Sequence, residues 1–272
     1  MDPAKLVIEG SLKSFLAEDL GYGDITTDAL IGASMKATGH VTCNESCVVA
    51  GLEETQILLE LVGCTGSPII KDGRRVGHGA KILRLSGPAG SILKAERTLL
   101  NLLSHMSGVA TATSDLVQLA NKNGAARVRI ACTRKTLPGL RYFEKKAVEI
   151  GGGDTHRLRL DDAVLIKENH LALAGTITDC VHRARERVSF TKKIEVEVTE
   201  PKQAVEAAQA RADIILLDNM KPDAIVKTVS ILQEKGFRDR VMLEASGGIR
   251  KENLPSYAKT GVDIISVGAI TH

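Results

Sequence analysis

From about residue 128 onward the chain repeats one texture. A short run rich in β-branched residues ends in a polar residue or glycine, and a stretch with helical spacing usually follows. The runs are Val128–Cys132, Ala163–Ile166, Lys193–Val198, Asp213–Leu217, Val241–Leu243 and Val262–Val267. Between them lie stretches such as Pro201–Ala210 and Pro222–Lys235, whose apolar residues recur with the helical period. Strands that alternate with helices lie parallel and are covered by those helices. Six such runs within about 140 residues suit an α/β barrel, with an open parallel sheet as the alternative.

The first hundred residues read differently, as a small α/β sandwich. Leu6–Leu20 predicts a helix stopped by the Gly21-Tyr22-Gly23 turn. Thr38–Asn44 has a rough period of two, Ser46–Ala50 follows, and Leu52–Val62 carries apolar residues at helical spacing. Lys81–Ser86 alternates as a half-buried strand does. Ile92 to about Leu119 predicts helix, broken near Gly108. The expected division is a sandwich domain over 1–103 and a barrel domain over 104–272.

Composition excludes several classes. With 43% hydrophobic and 25% charged residues the chain is neither disordered nor fibrous. A net charge of +3, no Trp and seven Tyr plus Phe leave little to hold a nucleic acid. No apolar run approaches the ~18 residues of a membrane span. Met1-Asp2-Pro3 lacks a basic region leading into an apolar one, so no secretory signal and a cytoplasmic protein are expected. Cys43, Cys47, Cys64, Cys132 and Cys180 form an odd set without a C-x-x-C pair, which predicts reduced thiols and neither a disulfide framework nor a zinc site.

Each apolar run is followed by chemistry. Thr133-Arg134-Lys135 follows the first, Lys167 the second, and Glu197 lies near the end of the third. Asp218 closes the fourth, Ser246-Gly247-Gly248 comes after the fifth, and Gly268-Ala269 after the sixth. In a parallel barrel these positions share one face, where active sites are built. Alone, Lys167 or Glu197 is an ordinary salt-bridged rim residue, and Asp218-Asn219 is ordinary turn chemistry. Recurrence at strand end after strand end is what points to a site. Glycine turns after the last two strands suit phosphate held by backbone N–H groups. Arg134, Lys135, Arg141, His156, Arg157, Arg159 and Lys167 fall within 34 residues, together with the flexible run Gly151-Gly152-Gly153. Without a long basic stripe or aromatics, such a cluster suits a small polyanion.

The blocks Thr133-Arg134-Lys135-Thr136-x-Pro138-Gly139-x-Arg141, Gly151-Gly152-Gly153-x-x-His156-Arg157 and Leu165-Ile166-Lys167-x-Asn169-His170 come in order. Glu195-Val196-Glu197, Leu216-Leu217-Asp218-Asn219-Met220 and Glu244-Ala245-Ser246-Gly247-Gly248-Ile249 follow, after an early Glu18-Asp19-Leu20-Gly21-x-Gly23-Asp24-x-Thr26-Thr27. Over nearly its whole length the sequence resembles the quinolinate phosphoribosyltransferase family of NAD biosynthesis. The resemblance implies an N-terminal α/β sandwich followed by an incomplete, seven-stranded α/β barrel. It implies a homodimer or a hexamer built as a trimer of dimers, with the sandwich of one subunit covering the barrel mouth of the other and Arg97 reaching the partner's site. Arg134, His156, Arg157 and Lys167 would hold the two carboxylates of quinolinate. Lys135, Glu197, Asp218, Ser246, Gly247 and Gly268 would hold phosphoribosyl pyrophosphate and its Mg²⁺, with Glu197 and Asp218 meeting the metal through water. Thr133, Gly248, Val267 and Ala269 complete the substrate-binding set, and Lys135, Lys167, Glu197 and Asp218 the catalytic one. Arg159 and Glu168 stand where the family often has glycine and aspartate, and the sequence stops at Thr271-His272, where the family usually continues into a helical stretch. Two rivals remain at this point: a paralogous phosphoribosyltransferase for another acidic heterocycle, and a catalytically silent barrel that binds an anion.

Overall fold

A computed structural model describes residues 3–122 and 128–271. It divides into two compact units, Met1–Ala112 and Thr113–His272. In the first unit, α1 (Pro3–Leu20) buries Ile8, Leu12 and Leu16, one residue per turn along one face, and stops at Gly21 in the left-handed region (φ +50°). Asp24 caps α2 (Ile25–Leu30), accepting hydrogen bonds from the N–H groups of Thr26 (3.1 Å) and Thr27 (3.0 Å). Next come β1 (Lys36–Thr42), β2 (Cys47–Val48), α3 (Leu52–Leu61), β3 (Thr65–Pro68), β4 (Arg75–Val76) and β5 (Lys81–Pro88). β5 is central to an antiparallel sheet of order β1-β5-β3, and β2 pairs with β4 in a separate ribbon. This is the expected sandwich of helices on a small sheet.

α4 (Ala89–Lys122) runs unbroken for 34 residues, and the expected break at Gly108 does not occur. Met106, Val109 and Ala110 are buried on either side of Gly108, and Ser107 bonds both backbone groups of Ala50. A helical glycine costs only about 1 kcal/mol, which packing of this extent outweighs.

In the second unit every strand is parallel. The order of elements is β6 (Arg129–Ala131), α5 (Arg141–Ile150), β7 (Val164–Ile166), α6 (Glu168–Ala174), α7 (Ile177–Arg187) and β8 (Ile194–Val198). Then come α8 (Pro201–Gln209), β9 (Ile214–Asp218), α9 (Pro222–Glu234), β10 (Met242–Ser246), α10 (Leu254–Ala258) and β11 (Ile264–Ser266). All six apolar runs are strands. The sheet order is β6-β11-β10-β9-β8-β7, so the first strand pairs with the last, which decides for a barrel over an open sheet. A parallel bridge from Ala131 to Asp154 adds a seventh position beside β6, and among the described residues no ladder joins it to β7. Among the described residues the barrel is therefore six-stranded and incomplete, with the Asp154 bridge in place of the expected seventh strand. Along β8, Ile194, Val196 and Val198 are buried at 0–1% exposure on one face, while Glu195 and Glu197 share the other.

The run Gly151-Gly152-Gly153 is not a flexible element. Gly151 caps α5, Gly152 turns at φ +87°, and Gly153 lies so close to its neighbours that a Cβ would meet Thr113 at 2.6 Å and Ile130 O at 3.1 Å. The glycines let the chain pass between α4 and β6 to reach Asp154.

Candidate active site

A cavity of ≈ 690 Å³ opens at the carboxyl ends of the barrel strands. Every strand end contributes to it: Thr133, Arg134 and Lys135 after β6, His156 and Arg157 after the Asp154 bridge, and Lys167 after β7. β8 and β9 bring Glu197 and Asp218, Ser246-Gly247-Gly248 comes from the end of β10, and Gly268-Ala269 from the end of β11. The cavity lies wholly within the second unit.

One expected residue of the second unit does not line the cavity. Val267 is 2% exposed, and its N–H donates to Ala131 O (2.8 Å), stitching β11 to β6. Arg97 is exposed on α4, in the first unit. The cationic cluster also divides. Arg141 does not line the cavity, and its Nε donates to Thr136 Oγ1 (3.0 Å) to hold the loop after β6. Arg159 is exposed and outside the cavity lining, with its N–H on Asp162 (3.0 Å).

Inside the cavity, charges of opposite sign meet at one seam. Lys167 Nζ lies 2.5 Å from Glu197 Oε2, so the cations of one side touch the carboxylates of the other. Arg157 is pushed below its ordinary range by burial and by the neighbouring Arg134 guanidinium. Arg134 Nε is buried and has no hydrogen-bond partner among the described residues. A desolvated guanidinium N–H without an acceptor costs free energy, which an incoming carboxylate recovers.

His156 sits in the left-handed region (φ 49°), a conformation that costs a non-glycine residue of order 1 kcal/mol and persists only where the surroundings hold it. Here the buried Lys145 ammonium of α5 donates to the carbonyls of Thr155 and Arg157 (the latter at 3.1 Å), and Asp154 accepts the N–H of His156 (2.8 Å). The ring reaches down to two carboxylates that are each 1% exposed, with Nε2 at 3.2 Å from Glu244 and 3.5 Å from Glu195. Burial disfavours the imidazolium, but contacts with Glu195 and Glu244 outweigh it and push the group up to about 10. Burial first, and then Glu244, holds the Glu195 carboxyl above its usual range. Arg157 N–H donates toward Nδ1 (2.7 Å), the contact that a neutral ring makes.

Asp218 and Asn219 form the opposite wall. Asn219 is also left-handed (φ 53°), donates its N–H to Ser246 O (2.8 Å) and bonds Asp218 Oδ2 through Nδ2 (2.7 Å). Gly247 packs against it. Nothing in the residue-type pattern marked Lys145 or Ser266 for the site, and Asn219, Glu195 and Glu244 stood in the motif blocks without an expected role. For the two glutamates a signal existed: Glu195 shares its strand face with Glu197, so a carboxylate had to enter the barrel interior. Glu244 stands likewise two residues before Ser246.

Models of the quinolinate phosphoribosyl transferase N-terminal and C-terminal domains match residues 24–107 and 109–272. The chain belongs to the quinolinate phosphoribosyl transferase family. It is 48% identical over 260 residues to a probable nicotinate-nucleotide pyrophosphorylase [carboxylating] of Methanothermobacter thermautotrophicus, covering 96% of this chain and 93% of that one. It is 40% identical to the nicotinate-nucleotide pyrophosphorylase [carboxylating] of Mycobacterium leprae, with 96% and 92% covered. The solved nicotinate-nucleotide pyrophosphorylase of Francisella tularensis superposes with a TM-score of 0.90 at 38% identity, covering all of this chain and 93% of its own. Of the charged residues in this chain's motif blocks, Arg134, Lys135, His156, Arg157, Lys167, Glu197, Asp218 and Glu244 line the cavity, whereas Arg141 does not. Its departures, Arg159 and Glu168, are both exposed and line no part of the cavity. Among the described residues no helix is long and apolar enough to cross a membrane.

Proposed function

We propose that this chain transfers the phosphoribosyl group of phosphoribosyl pyrophosphate to quinolinate, releasing pyrophosphate and CO₂ and leaving nicotinate mononucleotide. The observation that carries this is the buried, unpartnered Arg134 Nε beside Arg157, His156 and Lys167, four cationic side chains converging where a small dicarboxylate fits. Arg134, Arg157 and Lys167 bind the two carboxylates. Lys135 and the turns at Ser246–Gly248 and Gly268–Ala269 take the ribose phosphate and pyrophosphate, while Glu197 and Asp218 face the ribose.

The Lys167–Glu197 seam marks the border of the two subsites, and the new bond forms there. The lone pair of the pyridine nitrogen bonds to C1 of the ribose while the C1–oxygen bond breaks and its pair leaves with pyrophosphate. The bond from ring C2 to its carboxylate then breaks, CO₂ departs, and the pair left on C2 takes a proton. The residues contribute by placing two polyanions in contact and balancing their charge. Glu197 and Asp218 fit Mg²⁺, since hard carboxylate oxygens on adjacent strands border the cavity and leave room for its waters. Bound there, the metal would neutralise charge on the leaving pyrophosphate.

The same proposal places the protein in the cytoplasm as a homodimer or a trimer of dimers, with Arg97 completing a partner's site. The exposure of Arg97 on α4 supports that role. The test is product formation with labelled quinolinate. Nicotinate mononucleotide and CO₂ should appear in equal amounts. Nicotinate, which lacks the 2-carboxylate, should be used at least ~100-fold less efficiently, because buried cations are left unpaired. Comparable kcat/KM for the two acids, or no CO₂, would overturn the assignment in favour of another acidic heterocycle or of simple anion binding.

A further inference from the structure

We propose that Glu195 and Glu244 are positioning residues for substrate. From beneath the cavity they hold His156 as an imidazolium, so that the bend carrying His156 and Arg157 presents a fixed pair of positive charges to a pyridine dicarboxylate. This rests on the reading that such a dicarboxylate is the substrate.

Both carboxylates are 1% exposed, come from different strands (β8 and β10), and converge on one nitrogen at 3.5 and 3.2 Å. Two buried carboxylates that close repel each other strongly unless a cation stands between them, and the Nε2–H of His156 is the group placed there. Glu244 is further satisfied by the Ser266 hydroxyl (2.5 Å), whereas Glu195 Oε1 has no hydrogen-bond partner among the described residues. Glu195 therefore depends on the charge of His156 first and of Arg157 second. The dependence runs both ways. Arg134, Arg157 and a charged His156 would repel one another in an empty cavity, and the glutamates below offset that repulsion without occupying the face where substrate binds.

The charged groups facing His156 come from each neighbouring element. They are Glu195 on β8, Glu244 on β10, Lys145 on α5 at the carbonyls of Thr155 and Arg157, Asp154 and Arg157 on its own segment, and Arg134 acting on Arg157. The sign follows from the raised value. The ring stays cationic through neutral pH and loses its charge as pH climbs through about 10. Removing one carboxylate lowers that upper limit.

The experiment uses the full chain with labelled histidine, following His156 by NMR through a pH titration, and calorimetric binding of quinolinate at about pH 6.5 and about pH 9. In the wild type His156 should stay cationic beyond about pH 9, and quinolinate affinity should change less than about threefold between the two conditions. In Glu244→Gln or Glu195→Gln, His156 should titrate at least about two pH units lower, so that the ring is largely neutral at about pH 9. Quinolinate should then bind at least ~10-fold more weakly at the higher pH, with phosphoribosyl pyrophosphate affinity nearly unchanged. The two variants are independent, so misfolding of one leaves the other to decide. A wild-type ring that is neutral at neutral pH, with Nδ1 accepting from Arg157, overturns the proposal. So does a lowered His156 titration with quinolinate binding intact. If quinolinate fails to bind even the wild type, the functional reading falls and the substrate half of this proposal with it. The NMR titration separates that failure from a failure of the imidazolium itself.

Discussion

Gly247 is held to glycine by two independent constraints. Its φ is +95°, and a Cβ there would come within 2.3 Å of Asn219 Oδ1 and 2.8 Å of Asn219 N. Asn219 in turn bonds Asp218, so an added methyl group pushes on the Asp218 side of the cavity. Gly247→Ala should therefore raise KM for phosphoribosyl pyrophosphate at least ~10-fold and spare that for quinolinate, with a stability loss of about 1–3 kcal/mol. Steady-state kinetics with each substrate varied and a thermal melt check this, and a shift in the quinolinate KM instead would exchange the two subsites. Asp218 and Glu197 differ in a way that composition alone hides. Asp218→Asn should damage use of phosphoribosyl pyrophosphate and Mg²⁺ by at least ~100-fold in kcat/KM while leaving quinolinate binding intact. Glu197→Gln should do similar damage, but it also frees Lys167 from its 2.5 Å partner, so quinolinate should bind as well as before or more tightly. Calorimetry on both variants decides, and a collapse of quinolinate affinity in either would reverse the roles. At this scale the motif blocks made the cavity's charged residues legible. The approach of Glu195 and Glu244 to His156 was not, because it arises only when β8 and β10 bring them together.

Among the elements, the long helix α4 tolerates its glycine without using it. Gly108 is exposed, its φ is ordinary for a helix, and a Cβ would meet nothing within 4 Å. Gly108→Ala should stabilise the protein by about 0.5–1 kcal/mol, since alanine loses less backbone entropy and keeps the helix. Chemical denaturation should give a higher midpoint with an unchanged slope, and a destabilised variant would mean that the glycine is required by a contact. The strands were readable because buried parallel strands are continuous apolar runs of their own. Three helices were less so. α5 buries Phe143, Ala147 and Val148 but also Glu144 and Lys145, so charges interrupt its apolar stripe. α7 is rich in arginine and buries only Ile177, Cys180 and Val181. α6 buries no residue at all and begins where the N–H of Lys167 donates to His170 Nδ1 (2.9 Å). α6 offers no buried stripe for periodicity to report, whereas α5 and α7 are amphipathic despite their charges, and their spacing was there to be read.

For the whole molecule the decisive prediction concerns sharing of sites between subunits. If Arg97 acts in a partner's site, Arg97→Ala and Lys167→Ala should each be nearly inactive alone. Mixed and re-equilibrated, they should form heterodimers with one site that retains both wild-type residues. Random pairing makes about half the dimers mixed, so activity should recover to about a quarter of the wild-type level per subunit. The bland alternative, an exposed arginine in a surface ion pair worth less than ~1 kcal/mol, predicts little loss in Arg97→Ala. No recovery despite verified subunit exchange would place Arg97 in its own subunit's site or outside any site.

Local pattern alone determined that the second half of the chain alternates strand and helix, and that cations, carboxylates and glycines fall at the strand ends. Both are encoded within single elements, where the spacing of neighbouring residues sets which face is buried. Tertiary structure decided the closure, in which β6 pairs with β11 across more than a hundred residues of intervening chain and the Asp154 bridge takes the seventh place. It also decided that His156 stands over two buried glutamates. Contacts between residues distant in sequence depend on which strands become neighbours, and no spacing along one strand carries that information.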